Sequence, residues 1–206
     1  MSYVIPKLRE LFDKAAAEVS TVANKRLWAK RTALLENLNT YYWYAVSCVE
    51  KVEKADQAII DAIGTGEFAT ETLENDLHSS AIAFYGFARV VIESARILKE
   101  DGVLNATKEE VSKGLIDLGR EYGSWARNVI KARNDITAHP HQIRQFIIGI
   151  PSSWGSGNVS FRAFDLEELS FQDVFDLAPG TDLGKLKEYL EQLVSLLEEA
   201  WFSSEH

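Results

Sequence analysis

Leu115-Ile-Asp-Leu-Gly-Arg-Glu-Tyr-Gly-Ser-Trp-Ala-Arg-Asn-Val-Ile-Lys-Ala-Arg-Asn-Asp-Ile136 decides the fold class. Leu115, Leu118, Tyr122, Trp125, Val129, Ala132 and Ile136 recur at alternating intervals of three and four. That spacing lines them along one face of a helix. The stretch lies in an interval of 133 residues, between Pro6 and Pro140, that holds no proline. Proline inside a helix costs about 3 kcal/mol, so its absence permits long helices. Working outward, the same spacing recurs three times. Leu8, Leu11 and Phe12 open a first helix predicted to run to about Leu27. Leu34, Leu38, Tyr42, Ala45, Val49, Val52, Ile59 and Ile63 mark a second, stopped at Gly64-Thr65-Gly66. Leu73, Leu77, Ala81, Phe84, Ala88, Val91, Ala95 and Leu98 mark a third, stopped near Gly102. Thr107-Lys-Glu-Glu110 is a capping-box pattern for the helix that carries the opening stretch.

Pro140 ends that helix, because the residue before a proline is pushed out of the α region. The pattern then changes. Gln145 to Ile150 is short, apolar and β-branched, and Val159-Ser-Phe-Arg-Ala163 alternates apolar and polar. Between them Pro151-Ser-Ser-Trp-Gly-Ser-Gly157 has loop composition. A β-hairpin or small sheet is expected over 145–176, with Leu169 to Phe175 as a candidate third strand. After Pro179-Gly180 a last helix is predicted over 181–202, capped by Thr181 or Asp182, with Leu183, Leu186, Leu190, Leu193, Leu197 and Trp201 on one face. The expected fold is mainly α: a helical bundle of about four long helices, a small β-hairpin insertion and a C-terminal helix. A length of 206 residues fits one domain, with a helical core over 1–140.

Composition narrows the function classes. Apolar residues are 46% and charged residues 26%, which is globular and excludes a disordered chain. The net charge of −9 argues against a general nucleic-acid coat, which rests on Lys and Arg neutralising phosphates. That charge is uneven. Residues 143–206 carry −7, whereas 120–144 carry +3 from Arg120, Arg127, Lys131, Arg133 and Arg144 against Glu121 and Asp135. Cys48 is the one cysteine, so neither an intramolecular disulfide nor a Cys-rich zinc site can form. The first residues lack the basic-then-apolar pattern of a signal peptide, and no uncharged run suits a bilayer. A cytoplasmic protein without membrane contact is expected.

The stretch with chemical content is Lys131-Ala-Arg-Asn-Asp-Ile-Thr-Ala-His-Pro-His141. An arginine followed by a polar residue, with four to six residues before a histidine, resembles the signature of the HEPN superfamily of helical nucleotide-binding and ribonuclease domains. Arg133, Asn134 and His139 fit it, with five residues between Arg and His. The motif also falls at the end of a long helix, as it does in that family. The likeness is close over the motif and holds in outline over about residues 30–140. It implies a HEPN-like domain, possession of no cofactor or metal, and RNA cleavage by attack of a 2′-hydroxyl on the adjacent phosphate, leaving a cyclic phosphate.

Such chemistry needs a group that moves a proton near neutral pH, for which His139 is the candidate. It also needs a fixed cation over the developing charge, for which Arg133 is the candidate. Asn134 would position the phosphate or orient His139, and Asp135, four residues before His139, would support its ring. Lys131, His141 and Arg144 are candidate RNA contacts. On an ideal helix Arg133 and His139 point about 240° apart. Either the helix loosens near Pro140 or the site combines two chains. The resemblance implies the second, a homodimer with two motifs at its two-fold axis, set in phage defence or toxin–antitoxin biology.

Each residue also has a structural reading. His139 continues the apolar stripe three residues after Ile136 and so reads equally as a packed core residue. Arg133 reads as a clamp on the acidic Glu50 and Glu53 face of the second helix. Asp135 reads as helix-end electrostatics, and His141 and Arg144 as solvent-facing. Tyr41-Tyr42-Trp43-Tyr44 suggests a base-stacking platform, but consecutive residues point around a helix, which favours core and interface packing. Trp154 reads as a partner contact or as a plug in the bundle. His78 and His206 are isolated. No Gly-rich phosphate loop, G-x-S-x-G elbow or metal-ligand spacing is present. The alternatives to a ribonuclease are a non-catalytic helical binding or scaffold protein of the same fold, and an acidic partner that neutralises a basic toxin in the manner of an antitoxin.

Overall fold

Every apolar stripe read from the sequence falls within a helix. The computed structural model describes residues 4–21, 25–66, 71–100, 109–137, 145–151, 157–165 and 168–202. Along them run α1 (Pro6–Thr21), α2 (Lys25–Gly64), α3 (Glu71–Glu100), α4 (Glu109–Thr137), β1 (Gln145–Pro151), β2 (Val159–Asp165), β3 (Ser170–Leu177) and α5 (Pro179–Phe202). The fold is mainly α, a helical bundle with a small antiparallel sheet and a C-terminal helix. No described helix is long and apolar enough to cross a membrane.

The differences from expectation lie at element ends. The first helix does not reach Leu27: α1 stops at Thr21, and Leu27 belongs to α2, which starts at Lys25. Residues 22–24, between the two, lie outside the described residues. The last helix starts at Pro179 rather than at 181. Proline suits a first helical position, where its missing N–H would have no intrahelical partner. The first i to i−4 bond runs from Asp182 N–H to Ala178 C=O at 2.9 Å. Thr181 and Asp182 therefore sit inside the first turn and do not cap it. The β region is the small sheet that was one of the two expectations, three-stranded with order β1-β2-β3, and β3 falls where the candidate third strand was placed. Gln145 pairs with Asp165, and Asp165 in turn with Ser170. A bulge at Phe161/Arg162 shifts the β2–β3 register. The predicted stop after α2 is in place, with Gly66 in the left-handed region at φ 77° and its N–H on Ile63 C=O at 3.0 Å. Thr107 and Pro140 lie outside the described residues.

The chain divides into two compact units that are discontinuous in sequence. One comprises residues 1–43, 90–127 and 185–206, and the other 44–89 and 128–184. In the first, Leu8, Leu11, Leu35, Leu38, Leu186, Leu190, Leu193 and Leu197 are fully buried. Each such side chain contributes about 2 kcal/mol of burial. Gly114 on α4 admits α5, because a Cβ there would run into the Leu196 side chain. Arg31, 5% exposed, places its guanidinium 4.4 Å from the Trp28 ring and 4.9 Å from the Trp201 ring. Those ring faces favour the cation where water is excluded. Tyr122, Trp125 and Tyr189 form a second aromatic group, edge to face or tilted.

In the second unit the buried residues include Ala45, Val49, Val52 and Ile59 of α2, Leu77, Ala81, Phe84, Tyr85 and Ala88 of α3, Val129 of α4 and Leu183 of α5. Polar ties also join its parts, two of them as follows. The Gly157 N–H before β2 donates to the buried Asp56 carboxylate of α2 at 2.8 Å. The Tyr85 hydroxyl of α3 donates to the Asp182 carboxylate of α5 and accepts the Ala178 N–H at 3.2 Å.

Candidate functional site

The arginine–asparagine half of the motif sits on the last turns of α4 within the second unit. Val129 is buried, and Arg133, one turn later on the same face, is half-buried. On α3 the same relation holds between buried Tyr85 and half-buried Arg89. Stripe periodicity thus places one arginine from each helix at the margin of a buried face.

The two arginines meet on one atom. Arg89 Nη1 donates to Asn134 Oδ1 at 2.9 Å, and Arg133 Nη1 donates to the same oxygen at 3.3 Å. An amide oxygen has two lone pairs, so it can accept both bonds while remaining neutral. The two Nη1 atoms are therefore no more than about 6 Å apart. Two isolated like charges at that separation repel by roughly 3 kcal/mol at an effective dielectric near 20, and an anion beside both reverses the sign. Chemically the cluster is a half-buried pair of planar cations held by a neutral acceptor. That arrangement suits a phosphate or carboxylate.

The other predicted site residues divide in two groups. Lys131 is exposed on α4, two residues before Arg133. Asp135 lies within α4, but its side chain is outside the described residues, as are His139, His141, Arg144 and Trp154 in full. The structure thus brings Arg133 and Asn134 together and adds Arg89, which sequence reasoning missed. Arg89 stands 45 residues before Asn134. Its one sequence signal is a charged residue four after Tyr85, at the edge of the α3 stripe. Glu50 and Glu53, the proposed acidic face for Arg133, are exposed on α2. Of the aromatic run, Tyr42 is buried, Trp43 is exposed, and Tyr44 packs tilted against Phe87, with ring centroids 5.1 Å apart.

Two concavities have a different character. In the second unit a cavity of about 300 Å³ is lined by Val52, Glu53, Asp56, Gly157, Asn158 and Thr181 among others. In the first unit one of about 520 Å³ is lined by Glu121, Tyr122, Glu188, Glu191 and Gln192 among others. Both carry carboxylates, which oppose a phosphate. Among the described residues no group of His, Cys, Asp and Glu has the arrangement to hold a metal ion. Cys48 is buried, and burial pushes its thiol up, away from the reactive thiolate. The arginine pair on α3 and α4, joined through Asn134, is the described part of the region that carries the Arg–His motif. No protein-family model, curated protein or solved structure matches the chain, and its own residues are the ground on which function is read.

Proposed function

We propose that the protein is a HEPN-like endoribonuclease that works as a homodimer in the cytoplasm, in phage defence or toxin–antitoxin biology. The observation that carries the reading is the convergence of Arg89 and Arg133 on Asn134 Oδ1, beside the sequence position of His139. In the proposed reaction an RNA 2′-oxygen bonds to the adjacent phosphorus as the P–O5′ bond breaks. The products are a 2′,3′-cyclic phosphate and a 5′-hydroxyl. Arg133 offsets the charge that builds on the phosphate oxygens. His139 moves the proton, Asn134 fixes the position of Arg133, and Lys131, His141 and Arg144 hold flanking phosphates, with Asp135 supporting the His139 ring.

The same bonds favour a second reading, a non-catalytic scaffold, because Arg89–Asn134 also ties α3 to α4. Incubating the protein with single-stranded RNA in a chelator separates the two. The ribonuclease yields cyclic phosphate ends, and Arg133→Ala and His139→Ala each lower the rate about 10²-fold or more with folding retained. Absence of cleavage by the wild type, or full activity in both variants, overturns it. The scaffold instead predicts a lowered melting temperature in those variants and no cleavage by any form. An antitoxin or other protein partner bound by the acidic last third would appear in a pull-down as a basic protein.

A further inference from the structure

We propose that the cleft of the first unit, lined by the start of α1 and by turns of α4 and α5, binds a small amphipathic organic cation: an ammonium or guanidinium group carried on an apolar or aromatic body. The inference does not rest on the ribonuclease reading, and the cleft shares no residue with the Arg–His motif.

The cleft has a volume of about 520 Å³. Small-molecule sites run from roughly 300 to 1,000 Å³. Ile5 and Tyr122 line it and are both buried, which gives it apolar and aromatic surface. Glu121 of α4 and Glu188 and Glu191 of α5 line the same space. Glu191 pairs with Lys187 at 3.8 Å, whereas Glu121 and Glu188 have no ion-pair partner among the described residues. Lys7, the cation among the lining residues, is directed to Ser195 Oγ at 3.3 Å. The Gln192 amide donates to the Tyr122 hydroxyl at 3.0 Å and to the Glu121 carboxylate at 3.5 Å, so phenol and carboxylate are held on one wall. The Tyr122 phenol is pushed up from its ordinary value, first by burial and then by the charges of Glu121 and Glu188. Both carboxylates therefore act at one point of the cleft wall, where a cation is favoured and an anion is repelled. A cationic head gains charge-assisted hydrogen bonds from the glutamates. An apolar body displaces water from Ile5 and from the Tyr122 ring. The apolar wall is what separates this cleft from an acidic surface that attracts any counterion.

The test is calorimetric titration of the full chain at neutral pH and low salt with three probes. Tryptamine carries an ammonium on an aromatic body, indole-3-propionate carries the same ring with an anionic head, and methylammonium carries the charge without the body. Tryptamine is expected to bind with a Kd below about 1 mM and at least about tenfold more tightly than either of the others. The double variant Glu121→Gln/Glu188→Gln should lose about tenfold in tryptamine affinity, and Glu188→Gln alone severalfold. Glu36→Gln, an exposed change on α2 that alters net charge equally but lies outside the cleft lining, should bind as the wild type does. Melting temperatures check that each variant folds. Should the double variant fail to fold, Glu188→Gln decides, because Glu188 is exposed and makes no described ion pair. No binding of tryptamine, equal binding of the anion, or wild-type affinity in the deciding variant overturns the proposal. An equal loss in Glu36→Gln overturns it too, by showing that net charge and not the cleft attracts the probe. A capped lysine tripeptide that binds more tightly than tryptamine would assign the cleft to a protein side chain and overturn the small-molecule reading.

Discussion

Tyr189 is 7% exposed, and burial pushes its phenol up to about 12. Tyr85 moves in the same direction, first through burial and then through the charge of Asp182. A phenol ionises near pH 10 in an unfolded chain, so folding disfavours ionisation of both. The contribution of Tyr189 is complete below pH 10 and is lost as the pH rises through 12, and that of Tyr85 begins to fall over the same window. The two-unit shift of Tyr189 corresponds to about 2–3 kcal/mol. The midpoint of urea unfolding should accordingly fall between pH 10 and 12, and Tyr189→Phe should flatten that fall. An unaltered alkaline profile in Tyr189→Phe would show that the phenol is solvated. Both tyrosines illustrate what a sequence withholds at this scale. Spacing places Tyr122 and Trp125 on a stripe, but nothing in it reveals that the Tyr85 hydroxyl finds Asp182, 97 residues later. Arg89 is a second case of the same limit. Arg133 and Asn134 are adjacent and belong to a motif, whereas Arg89 joins them through the tertiary placement of α3 and α4 in the second unit.

Elements were far more legible than their partners. Five helices could be read from apolar spacing because burial of a stripe outweighs the small propensity differences along it. On α5 Leu183, Leu186, Leu190, Leu193, Leu197 and Trp201 are all buried as spacing predicts. The start of that helix was misread because Thr181 and Asp182 are favoured cap types, while Pro179 already satisfies the requirements of a first helical position. The strands were recognisable from alternation, and the third was recognisable but weaker. The Gly157 N–H on Asp56 is one described contact by which the sheet's approach meets α2. Asp56→Ala should destabilise the protein by about 1–3 kcal/mol, since it leaves a part-buried N–H without its acceptor. Asp56→Asn retains an acceptor oxygen and should cost less. Urea unfolding measures both, and equal losses would show that charge rather than the hydrogen bond matters there.

For the whole molecule, the formal charge of −9 conceals an acidic last third and a basic segment at the end of α4. One phosphate-sized site on an acidic body gains from duplication, and the family resemblance implies two copies of the chain. Light scattering should therefore give twice the 23.1 kDa chain mass at micromolar concentration. If the active site combines two chains, mixing Arg133→Ala with His139→Ala should restore cleavage that neither shows alone. A monomer that cleaves RNA would place Arg133 and His139 in one chain and demand a loosened helix end. The two compact units also set an order on biosynthesis. All segments of the 44–89 and 128–184 unit precede residue 185, whereas the other unit starts in α1 and needs residues from 185 onward. On a ribosome α1 must wait for α5, and the unit that carries Arg89, Arg133 and Asn134 has its full set of segments earlier. At about 5–20 residues per second, residues 185–206 take on the order of one to four seconds to make. During that time the apolar faces of α1 lack their α5 complement, which makes nascent α1 a natural client for a chaperone.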